Sequence, residues 1–438
     1  MKKSSLLFAI IMLVAILPFL QAESSITSVR FQVEYNIRNS VDNIGNQYIR
    51  AWSQHPSILT FVNNDGSVTV CTSNENEKIT YVYEYSINLE LRRTLTFENE
   101  FDLLGAFTKD DEGNYYLFFA SRATSRNVEN MAMVKYNRAG EKIQTYKLMA
   151  VPQRSFDGVR VPFDAGTCRL ELSGSMLAVY FAREMFNGHQ ASYGFILDKD
   201  TFERIDTGAA TNAERTGSIS QMPYVSHSFN QFILPVNGGF VFADHGDAYP
   251  RSFTFAKFLR GQNTKRVHAF RFPGSIGANA TYAGMGSLAK TSGGFIFSGT
   301  YGRERNNPRN LFVLTIDEEM DRCSDPVYLT RYTRNDGHAG HPKLVGLGEG
   351  RYLVLWELFN FSTQSANSIT GTRTEYLSTF MVIIDEQGSL LSDIQELKDL
   401  RLNMNDVLRF NRHNGKVYWA INDSVSSITI YALEITGH

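Results

Sequence analysis

The chain is poor in the features that would name a chemistry outright. Its 438 residues include three cysteines, 11 prolines and three tryptophans, and its formal net charge is -2. Cys71, Cys168 and Cys323 lie far apart and show no metal-ligand spacing. That excludes a zinc module or a dense disulfide framework and leaves one disulfide plus a free thiol, or three small buried hydrophobes. No block of lysine and arginine occurs, so a duplex nucleic-acid binder, which must neutralise phosphates, is disfavoured. A GxSxG elbow, an HExxH helix, a P-loop and a Rossmann fingerprint are all absent. Long amphipathic helical patterns are lacking too, the best helical stretch being the short run Ser392–Leu402.

The one long apolar run is N-terminal. Met1-Lys2-Lys3, an apolar stretch from Leu6 to Leu20 and then Gln21-Ala22 predict a secretory signal peptide cut after Ala22. Fifteen apolar residues are short for a membrane span. The expectation is residues 1–22 as leader and 23–438 as one exported domain, not an integral membrane protein. Asn279-Ala280-Thr281, Asn360-Phe361-Ser362 and Asn422-Asp423-Ser424 fit the N-glycosylation triplet.

What the chain has in plenty is aromatic residues and glycine: 31 Phe, 21 Tyr and 33 Gly. Such a mixture suits many strands joined by glycine turns. Short apolar strands follow a glycine or charged turn at Ser67–Val70, Tyr115–Ala120, Leu177–Ala182, Phe240–Phe242, Phe295–Phe297, Tyr352–Trp356 and Val417–Ala420. Their starts are about 48 to 65 residues apart, a period suited to four-stranded meanders. Each has a companion strand before it and a third strand after it. The last unit is one strand short after Leu433, and the unassigned alternation at Ile26–Tyr35 supplies the missing edge partner.

On this plan the sequence resembles the β-propeller superfamily over nearly all of residues 23–438. The resemblance implies an all-β propeller of seven four-stranded blades closed by the N-terminal strand. The WD, sialidase-box and kelch signatures do not occur, so no named family follows.

A meander sends alternate turns to opposite faces. Turns between first and second strands are bare hairpins, such as Asn237-Gly238-Gly239 and Gly348-Glu349-Gly350. Turns between second and third strands are longer and mixed, as in Arg183–Ala191 and Asp244–Arg251, and they share a face with the links between blades. Function usually resides in such loops. Candidate ligand-binding residues are Arg122, Arg183, His227, Asp244, Asp247, Tyr249, Arg251 and His338, converging on the mouth of a central channel. Asp244, His245 and Asp247 are also weighed as ligands for calcium or another divalent cation; capping and ion pairing with Arg251 is the structural alternative. Arginine forks suit planar anions; the alternative for Arg122 and Arg183 is pairing with Asp102 or Asp164 of a neighbouring blade. His227 and His338 are the candidate bases. No cofactor is required by any motif. The reading is an exported binding protein for carbohydrate or an extracellular protein. The alternative is a polysaccharide-acting hydrolase or lyase using Asp, His and Arg at the channel mouth.

Overall fold

The glycine-led apolar strands are the second strands of antiparallel meanders. A computed structural model describes residues 23–37, 48–49, 52–150, 158–164, 166–206, 222–363 and 372–436. The signal-peptide expectation for residues 1–22 falls outside them. Within them the fold is all-β, with six four-stranded antiparallel sheets arranged like blades. In chain order the first sheet runs Ile58–Val62, Val68–Asn74, Ile79–Tyr85 and Leu91–Glu98. The second runs Leu103–Lys109, Tyr115–Ala120, Glu129–Tyr136 and Lys142–Met149.

The third is a meander of Cys168–Ser173, Met176–Glu184 and Gln190–Asp198. Among the described residues, the isolated bridge Leu197–Arg204 and the two-residue strand Val161–Pro162 extend it. It meets the fourth sheet at the pair Ala191–Ser226. The fourth comprises Ser226–Val236, Gly239–Ala248, Arg251–Leu259 and Lys265–Arg271. The fifth comprises Ala283–Lys290, Gly294–Tyr301, Asn310–Asp317 and Val327–Tyr328. The sixth comprises His338–Gly348, Arg351–Phe359, Tyr376–Ile384 and Gln395–Leu397.

The seventh has three C-terminal strands, Arg409–Asn411, Lys416–Ser424 and Ser427–Thr436. Its fourth strand is Glu23–Gln32, paired from Glu23↔Thr436 to Gln32↔Ser427. The expected N-terminal partner is therefore present, starting three residues earlier than the alternation suggested.

Second strands are buried over most of their length, wholly so at Tyr115–Ala120, because both of their faces pack on neighbouring sheets. Fourth strands alternate toward solvent, as at Leu91–Glu98. Apolar clusters fill the spaces between sheets: Phe118, Phe181 and Phe195 between the second and third, and Phe255, Phe297 and Phe312 between the fourth and fifth. Aromatic side chains suit these layers because each removes a large apolar area from water.

Three expectations need correction. Asp244–Arg251 is not an extended polar loop. The ladder continues through Asp244↔Thr254, His245↔Phe253 and Asp247↔Arg251, and the turn is only Tyr249-Pro250, joined by a cis bond. Polar side chains can occupy buried strand positions there because each finds an internal partner. Gly246 is required on this strand, since a Cβ would lie 2.3 Å from Val225 Cγ1. His227 and His338 likewise sit within first strands rather than in links. Ser392–Leu402 is strand and coil, and no helix occurs among the described residues.

All three cysteines are free thiols, with Cys71 and Cys168 buried. Asn422 is buried, which removes that triplet as an acceptor in the folded chain, whereas Asn360 is exposed.

Candidate functional site

The loop-bearing end of the space between the first strands is closed. Residues 52–57 cross it as a strap. Trp52 stacks on Phe229 at 4.3 Å, and Ser53 N donates to Phe229 O at 2.8 Å. Ser53 Oγ and Gln54 N both donate to Asn405 Oδ1 at 3.0 Å. Beneath them Arg169 donates from Nη1 to Asn405 O (2.7 Å) and from Nε to Gln231 O (3.0 Å). Lys343 Nζ donates to the carbonyls of Met404 and Asp406. Asp406 Oδ2 accepts from Thr60 N at 2.8 Å. Residues from four sheets and the link to the seventh are thereby tied together. The polar letters that suggested an open channel mouth at this end are spent on sealing it.

The candidate residues divide into separate groups. The densest lies off this seal, at the contact of the third, fourth and fifth sheets. Pairing of Ser226 with Ala248 sets His227 beside the end of the second strand. His227 Nδ1 is 3.8 Å from Asp247 Oδ2. Asp247 is fully buried, ion-paired with Arg251, and accepts from Asn279 N at 2.5 Å. Arg251 is fixed in turn by donating from Nε to Pro273 O at 3.0 Å and from Nη2 to Ala280 O at 2.5 Å.

From the third sheet, His189 brings Nε2 within 2.9 Å of Ser226 Oγ, and its ring lies 5.3 Å from that of His227. His227 holds a left-handed backbone conformation, φ 50°, which is uncommon for a residue with a side chain and is seen at constrained sites. Its side chain is 26 % exposed. Burial pushes its pKa below the ordinary 6.5, against a hydrogen bond with Asn279 that raises it, so the ring is neutral at pH 7. Tyr249, 44 % exposed, stands at the same end of the strand.

Asp244 faces the other side of its strand. Its carboxyl accepts from Tyr180 OH at 2.7 Å and from Ser228 Oγ at 2.8 Å. Burial pushes its pKa up to about 8, against the lowering effect of these hydroxyls. His245, on the opposite side of the strand, has Nε2 2.8 Å from Thr281 Oγ1 and packs against Phe229, Phe253 and Phe272. Strand alternation thus sends Asp244 away from His245 and Asp247. Among the described residues no group of three or more His, Cys, Asp and Glu side chains is placed to hold a metal ion.

Arg183 is buried, donates to Gly158 O at 2.7 Å and lies 4.9 Å over the Tyr193 ring. Asp102 pairs with Lys78 at 2.7 Å. Arg122 is exposed. His338 is buried in the sixth sheet, where Nδ1 accepts from Arg309 N at 3.1 Å and Nε2 donates to Ser362 O at 2.8 Å. Burial lowers its pKa to about 4, which keeps it neutral. Arg183, Asp244 and His338 therefore do not join the His227 group.

Sequence reasoning missed two partners. His189 stood in a mixed loop opposite His227, and the Gly188-His189 step before a third strand was its only signal. Glu357 is fully buried and binds His341 Nδ1 at 2.5 Å, Arg401 Nε at 3.0 Å and Leu402 N at 2.9 Å. Nothing local marks it, because its partners lie 16, 44 and 45 residues away.

No protein-family model matches the sequence, and no curated protein does. Solved structures similar in plan include an ulvan lyase of a polysaccharide lyase family, with 10 % identity over 78 % of this chain and 80 % of that one, at TM-score 0.45. A protein of unknown function from Dyadobacter fermentans shows 8 % identity over 82 % and 98 %, at TM-score 0.42. Trypanosoma rangeli sialidase bound to sialic acid shows 12 % identity over 83 % and 59 %, at TM-score 0.43. Resemblance at this level is one of overall plan. The chemistry has to be read from this chain's own side chains.

Proposed function

We propose that the chain is an exported enzyme acting on an anionic polysaccharide, by proton transfer from the His189–Ser226–His227 group. The observation that carries this is the environment of His227. It is half-buried and neutral at pH 7, in a constrained backbone conformation, and 3.8 Å from a buried carboxylate already neutralised by Arg251. A neutral imidazole so placed can accept a proton, and the nearby carboxylate stabilises the imidazolium that forms. His189, hydrogen-bonded to Ser226, is a second imidazole within reach of the same substrate.

Hydrolysis by two carboxyls fits less well. It needs a pair facing one sugar, whereas Asp244 and Asp247 are buried on opposite sides of a strand. Elimination fits better. His227 removes the proton α to a uronate carboxylate, and a second group protonates the departing glycosidic oxygen as the chain breaks. Tyr249, 44 % exposed, is the hydroxyl-bearing side chain at that strand end. Arg122, Arg126, Arg303 and Arg305, exposed in the loops of this face, favour a polyanion.

The scaffold for this site is a seven-bladed ring closed by the N-terminal strand. Support comes from the apolar cluster joining Val68 and Tyr83 of the first sheet to Tyr418 and Ile430 of the seventh. Arg409 Nε also donates to Thr60 O across the same junction at 3.1 Å. Export follows from the leader-like residues 1–22.

The test is a panel of polygalacturonate, alginate, hyaluronan and chondroitin sulfate, followed by the ultraviolet absorbance of unsaturated products. His227→Asn keeps a side chain that tolerates φ > 0. It should lower kcat by about 10²–10⁴-fold, the usual worth of a general base, with unchanged melting. New reducing ends without that absorbance would point to hydrolysis, and binding without cleavage to a lectin-like protein. Full activity in His227→Asn would exclude this base.

A further inference from the structure

A large cavity lies away from the His227 group. It opens at the opposite end of the space between the first strands, among the bare hairpins, and holds about 660 Å³. That is within the roughly 300–1,000 Å³ range of small-molecule sites. Val62, Leu234, Leu288, Val345 and Phe410 give it an apolar wall drawn from five sheets. Deeper in, Arg409 meets Glu171 at 3.0 Å. The strap of residues 52–57 lies at the other end of this space.

Its lining carries four cations, Lys290, Arg351, Arg409 and Arg412, against three carboxylates, Glu171, Glu349 and Glu386. Along the enclosed space lie Arg169 and Arg409, with Lys343, whose pKa burial lowers to about 7, against the carboxylates Glu171 and Asp406. The funnel rim adds Lys290, Arg351 and Arg412 against Glu349 and Glu386. Of the rim groups, Arg351 pairs with Glu349 and Lys290 with Glu318, Glu386 accepts from Ser292 N at 2.8 Å, and Arg412 is the exposed cation. Positive charge in a narrow, low-dielectric cleft focuses its field on the opening.

We propose that this funnel is a second ligand site, for a small organic anion with an apolar or aromatic body and a carboxylate or sulfonate head. The body packs against Val62, Leu234, Leu288, Val345 and Phe410. The anionic head is held by the positive field of Arg409 and the rim cations. The site is independent of the polysaccharide reading, since it shares no residue with the His227 group.

The test uses the fluorescence of anilinonaphthalene sulfonate, an anion with an aromatic body, titrated into the folded full-length chain. One saturable site is expected, weakened by salt and displaced by benzoate. Val345→Trp fills the funnel from a partly exposed position and should abolish binding, with circular dichroism confirming the fold. Arg412→Glu, on the exposed rim, should weaken it about tenfold through lost attraction. Phenylnaphthylamine, the uncharged analogue, should bind more weakly by a similar factor. Absence of a saturable site in the unaltered protein, or unchanged binding in Val345→Trp, overturns the proposal. Equal affinity for the uncharged analogue overturns the anion assignment. If Val345→Trp does not fold, displacement by benzoate and the Arg412→Glu titration decide the matter.

Discussion

The two ends of the space between the first strands are built on opposite principles. At the loop-bearing end, long polar segments interlock: Asn405 binds the strap, Arg169 binds Asn405, and Glu357 holds both His341 and Arg401. At the hairpin end, tight glycine turns leave a wide funnel with an apolar wall. A dense set of functional-group letters therefore marks closure here, and bare turns mark the opening. Buried polar groups must find partners or lose the free energy of solvation, so polar segments that fold inward join one another. Short hairpins cannot reach across the axis at all.

The strongest way to erase the difference is to remove the strand that completes the seventh sheet. Deleting residues 23–32 strips ten paired positions from Ser427–Thr436 and exposes a sheet edge. Melting should fall further than for any single substitution, measured by calorimetry. An unchanged melting point would show that the first and seventh sheets hold together without it.

Next come two glutamates that look alike in sequence. Glu357 at the loop end is fully buried and doubly paired, whereas Glu349 at the hairpin end is 85 % exposed and 3.3 Å from Arg351. Glu357→Ala leaves His341 and Arg401 facing a vacated site and should cost about 3–5 kcal/mol in urea unfolding. Glu349→Ala should cost about 0–1 kcal/mol. Equal costs would mean the two ends are not different environments.

How much of this could be read in the letters follows from the range of the interactions. Strands such as Tyr115–Ala120 and Arg351–Phe359 were legible because glycine turns and apolar runs are local. The N-terminal partner strand was legible by counting. Asp244–Asp247 was not legible as strand, since its partners Tyr180, Ser228 and Asn279 are fixed only by tertiary packing. The letters single out His227, Asp247, Tyr249 and Arg251, and these do lie together. They single out Arg183 and His338 for the same reasons, and these lie elsewhere. The funnel was invisible, because Val62, Leu234 and Val345 read as ordinary core. Trp52, which seals the other end, belongs to no repeat at all.

A smaller effect should come from the seal itself. Asn405→Ala deprives Ser53 Oγ and Gln54 N of their shared acceptor. Each unsatisfied buried group costs roughly 1–3 kcal/mol, less whatever water recovers once the strap loosens. Hydrogen exchange should then quicken at residues 52–57 while the hairpin end stays protected. Uniform quickening at both ends would show that the strap is part of one cooperative unit rather than a local closure.

The smallest effect is a pair of opposed pH slopes. Lys343, at the closed end, has its pKa lowered by burial to about 7, and Asp244, between the third and fourth sheets, has its own raised by burial to about 8. Above about pH 7 the folded chain has lost the Lys343 proton that the unfolded chain still carries. The unfolded state then binds more protons, and stability rises with pH through this group until the ordinary lysine pKa is reached. Asp244 acts the other way. Between the ordinary carboxylate range and about pH 8 the folded chain holds a proton the unfolded chain has lost, so stability falls as pH rises. Between pH 7 and 8 the two slopes oppose each other, each bounded by about 1.4 kcal/mol per pH unit, and the unaltered protein should show little net dependence. Asp244→Asn preserves an acceptor for Tyr180 and Ser228 and should leave a rising slope. Lys343→Met removes the buried charge and should leave a falling one. Urea unfolding at half-unit steps from pH 6 to 9 separates them. Parallel curves for both variants would mean that neither group titrates in the folded chain as its burial requires.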